Sequence, residues 1–409
     1  MRQYDVAIVG GGILGLATAM RLLEKYPHLK VAILEKEDRI ATHQSGHNSG
    51  VLHSGIYYKP GSLKAMLCVR GKQALLRFCD EHGIPYKLCG KVIVALNESE
   101  LPRLQELYQR GQSNGVPGVE MIGPERLREL EPHAAGIKAL YSPNTGVIDY
   151  VRVAETYARL VREKGGVILT NHEVTDIIKG SPVVLETTGG DMEAKYLITC
   201  AGLQSDRLAR KTGAPDNLRI VPFRGDYYTL KPEKAYLCNS LIYPVPDPAF
   251  PFLGVHFTIR MDGQVWAGPN AVLAFAREGY SRFDLNPKDL LEVLTYSGFR
   301  HLALKYWKMG TAEMYRDYSK SAFVAAMQAY VPEVTGDDVI FGPSGVRAQA
   351  MASDGSLVDD FSILNAKNII HVRNAPSPAA TSSLAIGETI VGAAGKAFGL
   401  QAPVSVAVG

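Results

Sequence analysis

The chain has 409 residues, long enough for two lobes and a large buried core. With 46% hydrophobic and 21% charged residues it reads as globular, not disordered or fibrous. Its 44 basic and 41 acidic side chains leave +3, too little charge to indicate a nucleic-acid partner.

Tyr4 to Val9 is a short apolar run ending in Gly10-Gly11-Gly12, and Ile13 to Lys25 then shows helical spacing until Pro27. Val31 to Leu34 is a second strand-like run, closed by Glu35. Strand, glycine turn, helix, strand and acid make a βαβ unit. The apolar stretch Val6 to Met20 is not read as a leader, because Asp5 precedes it and the glycines interrupt it. It is also shorter than the ~18 apolar residues of a membrane span. Val151 to Glu163 is the next clear helix, followed by strands at Val167 to Thr170, Val174 to Ile178, Val183 to Thr187 and Tyr196 to Thr199, the last closing on Ala201-Gly202. From Ile220 to Gly268, runs rich in Tyr, Phe and Val alternate with Pro244, Pro246, Pro248 and Pro251, as in a separate antiparallel sheet. Asn286 to Val331 has helical periodicity, Ile369 to Val372 returns to strand, and Ser383 to Phe398 forms a closing helix. The five cysteines, Cys68, Cys79, Cys89, Cys200 and Cys238, are odd in number and form no CxxC pair. They indicate neither a zinc site nor a disulfide framework, so a reducing, cytoplasmic setting is expected.

Gly10, Gly12 and Gly15 stand in GxGxxG spacing between strand and helix, where bare backbone and helix N–H groups can meet a pyrophosphate. Glu35 lies 20 residues beyond Gly15, where an acid accepts hydrogen bonds from a ribose diol. Together these point to a dinucleotide. The following segment, THQSGHNSGVLHSGIYY from Thr42 to Tyr58, favours FAD over NAD, since its small and hydroxyl-bearing residues can wrap a planar ring and its ribityl chain. A plain surface loop is the competing reading. A metal site at His43, His47 and His53 ranks lower, because no acid or cysteine nearby in sequence completes a ligand set.

Four separated pieces carry a resemblance: YDVAIVGGGILGLATA with ILEK; GVIDYVRVAETYARLVREKGGVIL with Val174 behind it; YLITCAGLQSDRLA; and GVRAQAMASDGSLV with NAPSPAATSSLAIGETI. The sequence resembles the D-amino-acid oxidase type of FAD-dependent oxidoreductases over nearly its whole length. HNSGVLHSGIYY, PFRGDYY, FPFLGVHFT with GPNA, and NAPSPAATSSLAIG look most like the L-2-hydroxyglutarate dehydrogenase/oxidase branch. The resemblance implies an α/β fold, α+β overall, with a Rossmann-like FAD-binding lobe discontinuous over 1–85, 140–218 and 335–402. It implies an inserted mixed or antiparallel-sheet substrate lobe over 86–139 and 219–334. Carried over, Gly10, Gly12, Ile13, Leu14 and Gly15 would hold the pyrophosphate, Glu35 with Lys36 the adenosine, and Val174 the adenine through its backbone. Thr42, Ser45 and His53 belong to the wrapping loop, and Ala201-Gly202 would pass under the pyrophosphate. Ala380, Thr381, Ser382, Ser383 and Leu384 would aim helix N–H groups at the flavin carbonyl end, where a reduced flavin is anionic. Some relatives attach FAD covalently through a histidine in the 43–53 region, whereas the branch implies noncovalent FAD.

The implied reaction oxidises a small dicarboxylic 2-hydroxy acid: the Cα hydrogen leaves as hydride while a base takes the hydroxyl proton. His256, in GVHFT, is the first candidate for that base, with His53 second; a core histidine with both nitrogens satisfied is the competing reading of His256. Arg347 is favoured for the substrate or flavin carbonyls, with Tyr57, Tyr58, Tyr243 and Arg260 as weaker substrate contacts. Arg224 is at least as readily structural. Phe299 to Gly310, FRHLALKYWKMG, lies within the 286–320 helical stretch and joins aromatics and leucines to Arg300, Lys305 and Lys308. Such a helix either packs on the substrate lobe or lies on an anionic lipid surface at the inner face of the cell membrane, where electrons could pass to a quinone instead of oxygen. Two other functions compete: an oxidase or dehydrogenase of glycerol 3-phosphate or a small amino acid, and a non-catalytic flavin-bound assembly protein.

Overall fold

In the computed structural model, strand Arg2–Val9 buries its last four residues completely or nearly so, and it runs parallel between Val31–Leu34 and Met192–Thr199. Burial on both faces explains why these strands read as continuous apolar runs without alternation. The structure describes residues 1–247 and 253–402. Pro248, Pro251 and the FPF of FPFLGVHFT lie outside the described residues. Val167–Leu169 adds in parallel beyond Val31–Leu34, and Ile369–Asn374 adds in parallel to Met192–Thr199. Antiparallel partners at the edges, Val174–Ile178, Val183–Thr187 and Ser362–Ala366, bring this sheet to eight strands. Helices Ile13–Lys25, Tyr150–Glu163 and Ser383–Ala397 share one apolar core, built from residues such as Leu16, Met20, Tyr157 and Ile390. The expected Rossmann-like lobe is therefore present.

A nine-stranded second sheet contains Lys91–Ala95, Lys138–Ser142, Leu218–Leu230, Leu241–Pro244, His256–Ile259 and Val265–Gly268. Strand Val339–Ala352 pairs antiparallel along Leu218–Leu230 and belongs to the same sheet. The 335–402 stretch expected with the nucleotide lobe thus begins with a strand of the second sheet, and that strand carries Arg347. Gly342, Pro343 and Gly345 inside it conceal its strand character in the sequence. Lys138–Ser142 likewise crosses the expected boundary near 140.

The 286–331 stretch resolves into helices Pro287–Thr295, Ser297–Tyr318 and Lys320–Gln328. Ser297–Tyr318 departs from helical geometry at Tyr306 and turns Leu302, Glu313 and Asp317 inward. Asp317 joins a buried network: Arg224 Nη2 donates to Asp317 at 2.9 Å, Arg224 Nε donates to Asp226 at 3.0 Å, and Asn270 Nδ2 donates to Asp317 at 2.6 Å. Arg224 is therefore structural: its charge joins the sheet to the helix layer. Burial, with the Asp317 carboxylate alongside, pushes the Asp226 pKa up against the lowering effect of Arg224. Among the described residues, no helix is long and apolar enough to cross a membrane.

Candidate active site

The turn after the first strand is set by backbone geometry. Gly10 has φ +113, and a Cβ there would collide with the Cys200 carbonyl, while a Cβ on Gly15 would strike the Gly10 carbonyl. Only glycine lets the helix start this close to two strand ends. The helix start has no side-chain cap at Gly12, and a Cβ on Gly12 would meet only Ser45 Oγ, at 3.3 Å. Ser45 reaches over from the following loop and accepts from the Ile13 N–H at 2.9 Å. Leu14 belongs to the same first turn and, with Ile13, presents backbone to an anion. Glu35 is buried at the end of Val31–Leu34; its carboxylate accepts from Gly11 N at 2.7 Å and Glu37 N at 3.0 Å. Each of its oxygens keeps a lone pair for a ribose hydroxyl. Ala201-Gly202 follows Met192–Thr199, where Cys200 N donates to the Val9 carbonyl at 2.7 Å. Val174 begins the antiparallel flank, in register with Thr187. These residues converge at the C-terminal ends of parallel strands, where open α/β sheets take ligands.

The last helix meets this site at its N-terminus. Thr381 Oγ1 lies 2.7 Å from Tyr150 Oη and accepts from His53 N at 3.2 Å, and Tyr157 Oη lies 3.1 Å from Ser383 Oγ. Ser382 provides no cap to the helix, and its buried Oγ has no partner among the described residues. Ala380 packs against the core, and Leu384 is fully buried inside the first turn. An uncapped helix start beside an orphaned hydroxyl fits the carbonyl end of a planar ring system, and the two ends together fit an extended dinucleotide.

The second sheet supplies the reacting groups. Tyr243 and His256 are opposite each other in register, with ring centroids 3.9 Å apart. His256 Nδ1 lies 2.8 Å from the Gly254 carbonyl. A carbonyl only accepts, so Nδ1 carries the proton and Nε2 keeps its lone pair. Burial, then the charges of Lys91 and Arg347, lowers His256 to about 3, against the Gly254 hydrogen bond that raises it. His53 is also lowered to about 3, by burial and then by Lys91 and His256, and its Nε2 lies 3.2 Å from Ser377 Oγ. Arg347 Nη1 donates to the Asn270 carbonyl at 3.5 Å, and burial lowers its pKa. Tyr57 has a buried hydroxyl without a partner among the described residues. Tyr58 turns toward Ser377 and takes Lys64 Nζ over its ring at 5.7 Å.

Other candidates sit differently. Arg260 stacks on Trp266 at 3.9 Å and donates to the Asn48 carbonyl at 2.8 Å, bracing the wrapping loop. Lys36 Nζ binds both Glu37 and Glu278, and Thr42 Oγ1 donates to the Arg39 carbonyl. His43, His47 and His53 do not converge: His43 lies 2.8 Å from Glu37, His47 3.0 Å from the Ser344 carbonyl, and His53 faces Ser377. The fold does bring two acids to His43, as Glu37, His43 and Glu278 have ligand atoms within 4.8 Å of one another, but the Lys36 ammonium already binds both carboxylates. Glu37 is six residues from His43 and Glu278 comes from far along the chain, so the expectation that no nearby acid completes a set with His43 is corrected. Lys91 went unread in the sequence: it opens strand Lys91–Ala95 and is 1% exposed, with Nζ over the Tyr243 ring at 3.9 Å and the Tyr57 ring at 5.2 Å. The signal present was a lysine leading straight into Val92, Ile93 and Val94.

The profile of the family described as FAD dependent oxidoreductase (DAO) matches residues 5–393. The chain is 53% identical over 418 residues to a mitochondrial L-2-hydroxyglutarate dehydrogenase of Nematostella vectensis, covering 97% of this chain and 92% of the relative. It is 49% identical over 390 residues to an L-2-hydroxyglutarate dehydrogenase of Indibacter alkaliphilus, covering 95% and 98%. The structure of dithionite-reduced L-alpha-glycerophosphate oxidase from Mycoplasma pneumoniae with FAD bound superposes with a TM-score of 0.80 at 26% identity, covering 98% of this chain and 96% of that one.

Proposed function

The chain belongs to the DAO family of FAD dependent oxidoreductases, and from that premise we propose that it oxidises L-2-hydroxyglutarate to 2-oxoglutarate. FAD is the cofactor, and when bound it supplies an acceptor for the electron pair that leaves with the Cα hydrogen. The observation that carries the reading is His256, a neutral imidazole with Nδ1 committed to Gly254 and Nε2 open to accept. Nε2 takes the hydroxyl proton as the Cα hydrogen departs, and Tyr243 keeps the ring in plane for that transfer. Arg347 holds the carboxylate beside the reacting carbon, since a guanidinium matches a carboxylate with two parallel donors. The uncapped start of Ser383–Ala397 stabilises negative charge developing in front of it. Substrate charge between His256, Arg347 and Lys91 raises the basicity of His256 at the moment it is needed. Anaerobic mixing with each enantiomer of 2-hydroxyglutarate tests the reading. The L enantiomer bleaches the flavin band, and the D enantiomer, glycerol 3-phosphate and glycine leave it. A flavin that stays oxidised with the L enantiomer overturns it.

A second reading concerns where the electrons go, and an exposed stripe on Ser297–Tyr318 favours it. Leu304 is 75% exposed just before the break at Tyr306, and Trp307, Tyr315 and Tyr318 are exposed beyond it. Arg300, Lys305 and Lys308 flank the stripe, while Arg282 stands over Tyr318 at 5.9 Å and Phe341 at 4.3 Å, extending the surface. Aromatics and leucines among cations suit an interface with anionic lipid. Peripheral attachment there would give the reduced cofactor access to a membrane quinone as electron acceptor.

A further inference from the structure

Lys91 is a buried cation in search of an anion. It is 1% exposed, yet among the described residues no carboxylate and no hydrogen-bond acceptor meets its ammonium, which faces only the rings of Tyr243 and Tyr57. An uncompensated buried charge is costly, and burial lowers the Lys91 pKa to about 7, so the ammonium form is secured by an anion that a ligand brings. Tyr57, on the same side, has a buried hydroxyl that is likewise unpartnered.

The register places this cation relative to the chemistry. Tyr243 pairs with Ile93 and, where the register of Leu241 with Thr258 continues, stands opposite His256, and Lys91 pairs with Leu241, two residues before Tyr243. Because side chains alternate across a strand, Lys91, Ile93, Leu241, Tyr243 and His256 share one face. One strand separates the strands of Lys91 and His256, a backbone spacing of about 9–10 Å. Arg347 approaches from the other end of the strand order, on Val339–Ala352 beyond Leu218–Leu230. Both cations act on His256, from strands that lie on either side of it in the sheet order. A molecule with its reacting carbon at His256 and one carboxylate on Arg347 would extend its far end toward Lys91.

Resting on the function proposed above, we propose that the Lys91 ammonium, with the Tyr57 hydroxyl, binds the substrate carboxylate remote from the reacting carbon. It thereby sets the preference for a dicarboxylic 2-hydroxy acid over a monocarboxylic one. The lack of a protein carboxylate beside Lys91 among the described residues is then a specificity device. A substrate that brings no second anion forgoes this pairing and leaves the buried amine without a partner, so it binds less tightly.

The test compares L-2-hydroxyglutarate with L-2-hydroxyvalerate, which carries a methyl in place of the second carboxylate, by anaerobic flavin reduction in wild type, Lys91→Met and Lys91→Gln holoenzymes. Wild type is expected to prefer the dicarboxylate strongly. Both variants lose on the order of 100-fold or more in kcat/KM for it, mainly through KM, while the valerate rate holds or rises. Glutarate, which cannot react, should perturb the flavin spectrum of wild type and not of the variants. Retained FAD colour and melting temperature identify folded protein, and the conservative Lys91→Gln change covers a failure of Lys91→Met to fold. If wild type turns over L-2-hydroxyglutarate but either folded variant keeps its KM and selectivity within threefold, the role of Lys91 is overturned and the function stands. A wild-type flavin unmoved by L-2-hydroxyglutarate overturns both.

Discussion

Replacing His256 by Asn separates its role as base from its role in packing. An amide can still donate to the Gly254 carbonyl, as Nδ1 does at 2.8 Å, but nothing replaces Nε2. Holding His256 at about 3 instead of its ordinary 6.5 corresponds to about 5 kcal/mol against the imidazolium among the protein's own groups. Two substrate carboxylates offset much of that cost, so the bound complex restores the proton affinity that a base requires. Loss of a positioned base costs roughly 10²- to 10⁴-fold in rate, about 3–5 kcal/mol of barrier. His256→Asn should therefore keep FAD and a KM within a few fold, while the rate of anaerobic flavin reduction falls by that factor. In wild type the reduction rate should fall as pH drops through the raised pKa of the complex, and the variant should lack this limb. A variant rate within tenfold of wild type, with the acid limb intact, would refute the assignment of His256 as base.

Glu35→Gln keeps the shape of a residue that accepts from Gly11 and Glu37 but removes its charge, so FAD affinity should drop at least tenfold by equilibrium dialysis of the folded apoprotein. His371 is fully buried, with Thr199 and Thr212 hydroxyls each 2.8 Å from a ring nitrogen, and burial followed by the Arg373 charge lowers it to about 4. The unfolded chain takes up this proton near 6.5 and the folded chain does not, so stability falls as pH drops from 6.5 toward 4, by up to about 1.4 kcal/mol per pH unit for this group. Urea midpoints against pH should show that slope in wild type and a shallower one in His371→Gln. For the exposed stripe, Leu304→Asp with Trp307→Asp should abolish sedimentation with phosphatidylserine vesicles while leaving flavin reduction by substrate unchanged; unaltered sedimentation would remove the stripe from the membrane reading.

Much of the nucleotide end was legible because it is local. Gly10, Gly12, Gly15 and Glu35 fall within a single βαβ unit, and each constraint acts between near neighbours: a turn that requires φ +113, a helix packed on its own strand, an acid at the next strand end. The closing helix was equally legible from its periodicity, and its relation to the turn followed from the family likeness. The boundary near 335 was less legible, because Gly342, Pro343 and Gly345 interrupt the strand Val339–Ala352, which only its long pairing with Leu218–Leu230 reveals. Of the two acids beside His43, Glu37 is near in sequence and Glu278 was hidden for a related reason, since it comes from a segment more than two hundred residues away.

The sequence alone determined the fold class, the dinucleotide turn and the family to which the chain is related, because local propensity, hydrophobic period and contiguous motifs carry that information. Tertiary structure alone decided which charges are buried and what they face. Lys91 is an ordinary lysine at the head of an apolar strand until sheet pairing seals it beneath Tyr57 and Tyr243, beside His256 and, among the described residues, away from any carboxylate. Burial and the company of distant residues govern electrostatics in a low-dielectric interior, and neither is a property of the chain before it folds.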